Sequence, residues 1–160
     1  MKISYAITVC NELNEITTLL NFLLDNRRPE DEIVVLFDKG KGTAEVWDRV
    51  LELKDEPNTK YVAATFKHHF ADWKNQLSEM CSGDYIFQID ADEVPNRLLI
   101  RNLPKIIESN PSSEVYLVPR VNTVKGILDE HVQKWGWKLN ERNWVNWPDY
   151  QWRIWKNKPE

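Results

Sequence analysis

The chain has 160 residues, 42% of them hydrophobic and 29% charged, with a net charge of −4. That length suits one domain with its own core, so residues 1–160 are expected to form a single unit without metal or disulfide staples. The basic residues are scattered and the balance is acidic, which excludes nucleic acid as the main partner, because phosphate backbones require a basic patch.

Ile3 to Val9 is a short apolar run and predicts a first strand. Polar residues Asn11 to Asn14 follow, and then Ile16, Leu19, Leu20, Leu23 and Leu24 recur at helical spacing, with Asn26 and Pro29 as stops. Ile33 to Phe37 is continuously apolar, the pattern of a parallel strand buried on both faces. It ends on Asp38-Lys39-Gly40. Thr43 is placed to cap a second helix carrying Val46, Trp47, Val50 and Leu51. Tyr61 to Phe66 predicts a third strand. Asp72 is the expected cap of a third helix, with Leu77, Met80 and Cys81 inward and Gly83 at its end. Tyr85 to Ile89 predicts a fourth strand that runs into Asp90. Beyond Pro95, Leu98, Leu99, Ile106 and Ile107 suggest short helices broken near Pro104. Val115 to Val118 reads as a fifth strand ended by Pro119-Arg120, and Gln151 to Trp155 as a last one. Lys125 to Pro148 shows no clean period.

The β-α-β-α-β-α-β order of the first ninety residues predicts an α/β fold with a mostly parallel central sheet and helices on both faces. In such sheets ligands bind beyond the carboxyl ends of the strands, where the strand order reverses. Three of the four predicted strand ends carry polar side chains: Asn11 and Glu12, Asp38, and Asp90 with Asp92. The ends of strands one, two and four are therefore expected along one edge.

Cys10 and Cys81 make no disulfide framework, the N-terminus lacks the apolar core of a signal peptide, and no stretch reaches membrane-spanning length. A soluble cytoplasmic protein without a transmembrane segment is the expectation. His68-His69 lacks nearby partners at zinc spacing and reads as a loop pair. Six of the eight tryptophans, Trp135, Trp137, Trp144, Trp147, Trp152 and Trp155, lie beyond residue 134. Such rings pack under irregular segments and also give flat walls to a sugar-binding groove.

The chemistry concentrates in Asp90-Ala91-Asp92-Glu93. Three carboxylates within four residues repel one another unless they are solvated or a cation sits among them. Mg²⁺ and Mn²⁺ take oxygen ligands, usually one or two carboxylates together with substrate phosphates.

The segment from Lys74-Asn75 through Gly83-Asp84 and the strand Tyr85 to Ile89 to Asp90-Ala91-Asp92 resembles the central signature of family 2 glycosyltransferases with the GT-A fold. Val9-Cys10-Asn11-Glu12 resembles their nucleotide-touching first loop, and Phe37-Asp38-Lys39-Gly40 the second-strand aspartate that meets base or ribose. Val118 to Asn122 and Trp147 to Trp155 resemble the acceptor-side segments of bacterial and phage members that decorate surface glycans. Lys39 stands where the family more often has Asp, Asn or Gly. Family members are usually longer and often continue to a Val-His-Glu-like stretch, so the resemblance implies a C-terminally short member.

The resemblance implies a GT-A-like fold whose nucleotide-binding half is Rossmann-like. It implies transfer of a sugar from a nucleoside-diphosphate donor to a glycan or other hydroxyl acceptor, dependent on Mn²⁺ or Mg²⁺. Asp90 and Asp92 would hold the metal, and Asn11, Glu12, Asp38, Lys74, Asn75 and Asp90 the donor. Asp149 or Glu141 would serve as general base. Trp147, Trp152, Arg153 and Trp155 would face the acceptor, and Arg120 would offset diphosphate or acceptor charge. The alternative is a module of transferase origin that binds glycan or nucleotide-sugar without turnover. A phosphohydrolase would need an aspartate nucleophile after the first strand, where this sequence has Cys10-Asn11-Glu12.

Overall fold

In the computed structural model, which describes residues 1–158, the chain runs β1 (Ile3–Val9), α1 (Leu13–Asn26), β2 (Glu32–Asp38), α2 (Ala44–Leu51), a 3₁₀ turn (Glu52–Asp55), β3 (Thr59–Ala64), α3 (Phe70–Met80), β4 (Tyr85–Asp90), α4 (Arg97–Glu108), β5 (Val115–Asn122), α5 (Asp129–Trp135) and β6 (Val145–Lys156). The strands form one sheet in the order β3-β2-β1-β4-β6-β5. The first four are parallel, and β6 runs antiparallel to both β4 and β5. The sheet is thus mostly parallel and flanked by helices, as the sequence predicts.

Strand alternation divides the core. Odd-numbered residues of β1, β2 and β4, such as Ile7, Val35 and Ile89, pack against α1, α2 and α4. Even-numbered residues Ala6, Val34, Leu36 and Ile86 pack against Trp73, Leu77 and Cys81 on the α3 side. Each fully buried Ile or Leu contributes about 1.5–3 kcal/mol. The α3 face also carries polar residues at both strand ends. At the amino end, buried Glu32 accepts from Lys2 Nζ, Ser4 Oγ, and the amide and hydroxyl of Ser82. These bonds anchor the exit of α3 to the sheet. Gly83 fits there because a Cβ would lie 2.6 Å from Ser4 Oγ and 2.8 Å from its nitrogen.

Several boundaries differ from the sequence reading. Helix α3 starts at Phe70 and is capped by His69, whose Nδ1 accepts from the Asp72 amide; Asp72 sits in the first turn, where its charge suits the helix dipole. The same helix ends at Met80, before Gly83. The expected break at Pro104 is absent: α4 is continuous, and Ile100, Leu103, Pro104 and Ile107 are all buried. Packing of that face outweighs the roughly 3 kcal/mol that an interior proline costs. Strand β3 lies two residues earlier than predicted. Strand β5 runs through Pro119 to Asn122, which an edge strand tolerates because one side needs no N–H. The unperiodic stretch contains α5, which buries no residue and so leaves no amphipathic pattern.

Candidate functional site

Strands β2 and β3 lie on one side of β1 and β4 on the other, so the strand order reverses between β1 and β4. Their carboxyl ends bring the first loop beside the Asp90 turn, with the end of β2 next to them, along one edge as expected.

The Glu12 carboxylate accepts from the Cys10 and Asn11 amides at 2.8 and 3.0 Å and shapes that loop. Asn11 itself is exposed. Asp38 is nearly buried, and its Oδ1 accepts from the Gly40 and Phe66 amides at 2.9 and 3.1 Å. It therefore ties the ends of β2 and β3 together. A Cβ on Gly42 would lie 2.3 Å from the Phe37 ring, so only glycine lets this loop fold back. Burial, then Asp38, then Glu12 push the Cys10 thiol pKa up, away from nucleophilic character.

On the α3 face, Thr8 and Asp90 are cross-strand partners. Lys74 reaches both, its Nζ lying 3.1 Å from Thr8 Oγ1 and 2.9 Å from Asp90 Oδ1. Asn75 is exposed beside it. Asp90 Oδ1 also accepts from Gln88 Nε2, and its Oδ2 lies 2.9 Å from Arg153. Partial burial acts to raise the Asp90 pKa, but the Lys74 bond and charge, followed by Arg153, outweigh it and hold it below the ordinary value. The turn closes on itself: the Glu93 amide donates to Asp90 O, and Glu93 Oε2 accepts from the Asp90 amide.

Arg153 also contacts Glu93, and Arg120 lies 3.5 Å from the same carboxylate. Arg120 in turn pairs with Asp149 at 2.8 Å. The result is an alternating chain, Lys74–Asp90–Arg153–Glu93–Arg120–Asp149, crossing from α3 to the outer strands. Asp92 is exposed and stands outside it.

Asp92, Glu93, Arg120, Asp149 and Arg153 line a cavity of about 800 Å³ between the end of β4, the start of α4, and β5 with β6. Val118 and Trp137 are among its apolar walls. Asp149 is fixed by Asn122 and Gln151 as well as Arg120. The Asn122 bond, then Arg120 and Gln151, lower its pKa, which weakens it as a base. Glu141 lies in the exposed turn closed by the Asn143 amide and Asn140 O, away from the lining residues.

The tryptophans expected at the acceptor are not brought to this cavity. Trp152 lies 71% exposed on β6, where alternation sends it to the opposite face from Asp149. Trp155 packs toward the α3 cluster, and Trp147 stands edge-on to Trp144 at 4.8 Å. Trp137 is the indole in the wall, and the unperiodic stretch around it gave no signal of that. Arg153, expected at the acceptor, is buried against the Asp90 turn as well as lining the cavity. Thr8 and Gln88 were also missed, although Thr8 pairs with Asp90 across the sheet and Gln88 precedes it by two residues on the same strand face.

Among the described residues no group of three or more His, Cys, Asp or Glu side chains is arranged to hold a metal ion, and no helix is long and apolar enough to cross a membrane.

The arrangement of strands, turn and flanking helices is that of GT-A glycosyltransferase structures. TarS from S. aureus, residues 1–349, superposes with a TM-score of 0.67 at 24% identity, over 80% of this chain and 38% of that one. It has also been solved with UDP and with UDP-GlcNAc. The mannosyltransferase PcManGT from Pyrobaculum calidifontis, solved with GDP-Man and Mn²⁺, gives 0.62 at 21% identity, over 74% of this chain and 35% of that one. The chain thus spans well under half the length of these neighbours, and at such identities the likeness shows the fold alone. No curated protein matches the sequence. The chain belongs to glycosyl transferase family 2, whose model matches residues 4–157.

Proposed function

We propose that this chain is the donor-binding part of a glycosyltransferase that moves a sugar from a nucleoside diphosphate to an acceptor hydroxyl. The Lys74–Asp90 pair where the strand order reverses, with Asp38 ending the next strand and Asp92 on the cavity, carries the reading. Family membership and the nucleotide-sugar complexes of the structural neighbours support it. In this proposal Asn11, Glu12 and Asp38 frame the nucleoside, and Lys74 and Asn75 face the diphosphate. The acceptor enters the cavity beside Asp149 and Trp137. The acceptor oxygen bonds to the anomeric carbon as the bond from that carbon to the diphosphate breaks, and a carboxylate takes the hydroxyl proton. Asp149 is the better placed of the two expected bases, since it lines the cavity and Glu141 does not.

The residues fit a divalent ion that arrives with its substrate. Asp90 and Glu93 are charge-paired, whereas Asp92 is exposed at the cavity, and one carboxylate plus phosphate oxygens suffices for Mg²⁺ or Mn²⁺. When bound, the ion supplies Lewis-acid stabilisation of the departing diphosphate. A cytoplasmic setting and a single unit over residues 1–160 belong to the same proposal. The test is a panel of UDP- and GDP-sugars assayed for Mn²⁺-dependent hydrolysis and transfer, with Lys74→Met alongside. Turnover of one donor, lost in the variant, is expected. Binding without turnover of any donor would favour the non-catalytic module, and neither binding nor turnover would overturn both readings.

A further inference from the structure

We propose that Arg153 is a positioning residue that occupies, between Asp90 and Glu93, the place a divalent cation would otherwise take. The turn then offers a metal only Asp92 until a diphosphate supplies further oxygens. The inference rests on the metal role proposed above for Asp92, and it concerns why the turn is not a metal site by itself.

The backbone places Arg153 there. Tyr116 pairs with Ile154 and Leu117 with Trp152, so Arg153 is the extra residue of a β-bulge. A bulge sets two successive residues on one face, and here buried Arg153 lines the cavity while Ile154 joins the core cluster on that same side. The Arg153 side chain is only 11% exposed, and a single nitrogen, Nη2, bridges Asp90 Oδ2 at 2.9 Å and Glu93 Oε1 at 2.5 Å. One cationic centre shared by two carboxylates is the geometry of a bridging ion.

Charge matching points the same way. Lys74, Arg153 and Arg120 stand against Asp90, Glu93 and Asp149 in direct contacts, leaving Asp92 as the carboxylate of the turn without an ion pair among the described residues. Guanidinium is a weakly hydrated ion suited to partial burial between carboxylates. A turn with three free carboxylates would bind divalent cations without substrate. A turn with one binds them mainly through the donor.

The experiment titrates Mn²⁺ alone, without nucleotide, into the full chain and reads bound metal by electron paramagnetic resonance. Arg153→Met keeps much of the length and removes the charge. Asp90 keeps Lys74 and Gln88, and Glu93 keeps Arg120, so neither carboxylate is stranded. The expected result is Mn²⁺ affinity at least about tenfold tighter than wild type, since Asp90 Oδ2 and Glu93 Oε1 lose the cation that bridges them. Arg153→Lys, which retains a charge but has a compact head suited to one partner, is expected between the two. It also keeps the inference testable should the methionine variant fail to fold. Adding Asp92→Asn to either variant is expected to abolish the gain. Wild-type Mn²⁺ affinity in folded Arg153→Met, or in Arg153→Lys if only that folds, would overturn the inference. Because no nucleotide is present, failure of the donor reading would appear separately, as wild-type protein whose Mn²⁺ binding ignores added nucleoside diphosphate.

Discussion

Replacing Asp92 by Asn is expected to separate folding from metal-dependent donor binding. The perturbation is isosteric and removes one exposed negative charge. The turn does not depend on that side chain: it closes through the Glu93 amide on Asp90 O at 3.0 Å and the Asp90 amide on Glu93 Oε2 at 3.3 Å. Stability should therefore stay within about 0.5 kcal/mol of wild type. Donor binding behaves differently, because the other two carboxylates of the turn already hold Arg153 and Asp92 is the one open to a hard cation. An amide oxygen carries no full charge and ligates such an ion poorly. Loss of Lewis-acid stabilisation of the leaving diphosphate costs several kcal/mol, so Mn²⁺-dependent turnover should fall by about a hundredfold or more. Urea denaturation gives the first quantity, and donor consumption at saturating Mn²⁺ the second. A variant that unfolds like the parent and consumes donor at the parental rate would show that Asp92 holds no metal.

Two further perturbations follow. Burial acts to raise the Glu32 pKa, but bonds from Lys2, Ser4 and Ser82 bring it down from 4.5 to about 2. Its folded value is depressed, so its contribution of about 3 kcal/mol is present above pH 4.5 and disappears as pH falls toward 2. Glu32→Gln should flatten that acid limb in urea titrations from pH 6 to 2, and parallel wild-type and variant curves would contradict the assignment. Trp137→Leu should weaken acceptor binding and raise KM for the acceptor severalfold, whereas Trp152→Leu should leave acceptor kinetics unchanged. Equal effects of the two would mean that the cavity next to Asp149 is not the acceptor site.

The carboxyl edge of the parallel strands was legible in the sequence because burial wrote it there. Strands β1, β2 and β4 are covered on both faces, so Ile33–Phe37 is an unbroken apolar run and Ile3–Val9 and Tyr85–Ile89 are mostly apolar, and their polar ends marked one edge. Helix α1 was equally plain, since Ile16, Leu19, Leu20 and Leu23 bury one stripe. The outer strands and the cavity beside them were not legible. Helix α5 buries nothing, Pro119 sits within an edge strand, and the bulge at Arg153 shifts the face of each residue after it. Alternation read without that bulge gives no reason to pair Arg153 with Asp90, 63 residues away in sequence. Trp137 reaches the cavity from an irregular segment, where spacing carries no information about direction. The tryptophan count was visible, but which ring lines a groove depends on a strand register that only the folded chain defines.

The carboxyl edge of this sheet is expected to bind a nucleoside diphosphate together with a divalent cation. Calorimetric titration of UDP, and separately GDP, into the full chain tests it most directly, once with Mn²⁺ and once with chelator. One of the two is expected to bind at least about tenfold more tightly with Mn²⁺, because Asp92 would hold the ion beside the phosphates. No binding of either nucleotide, or equal affinity with metal and with chelator, would contradict it.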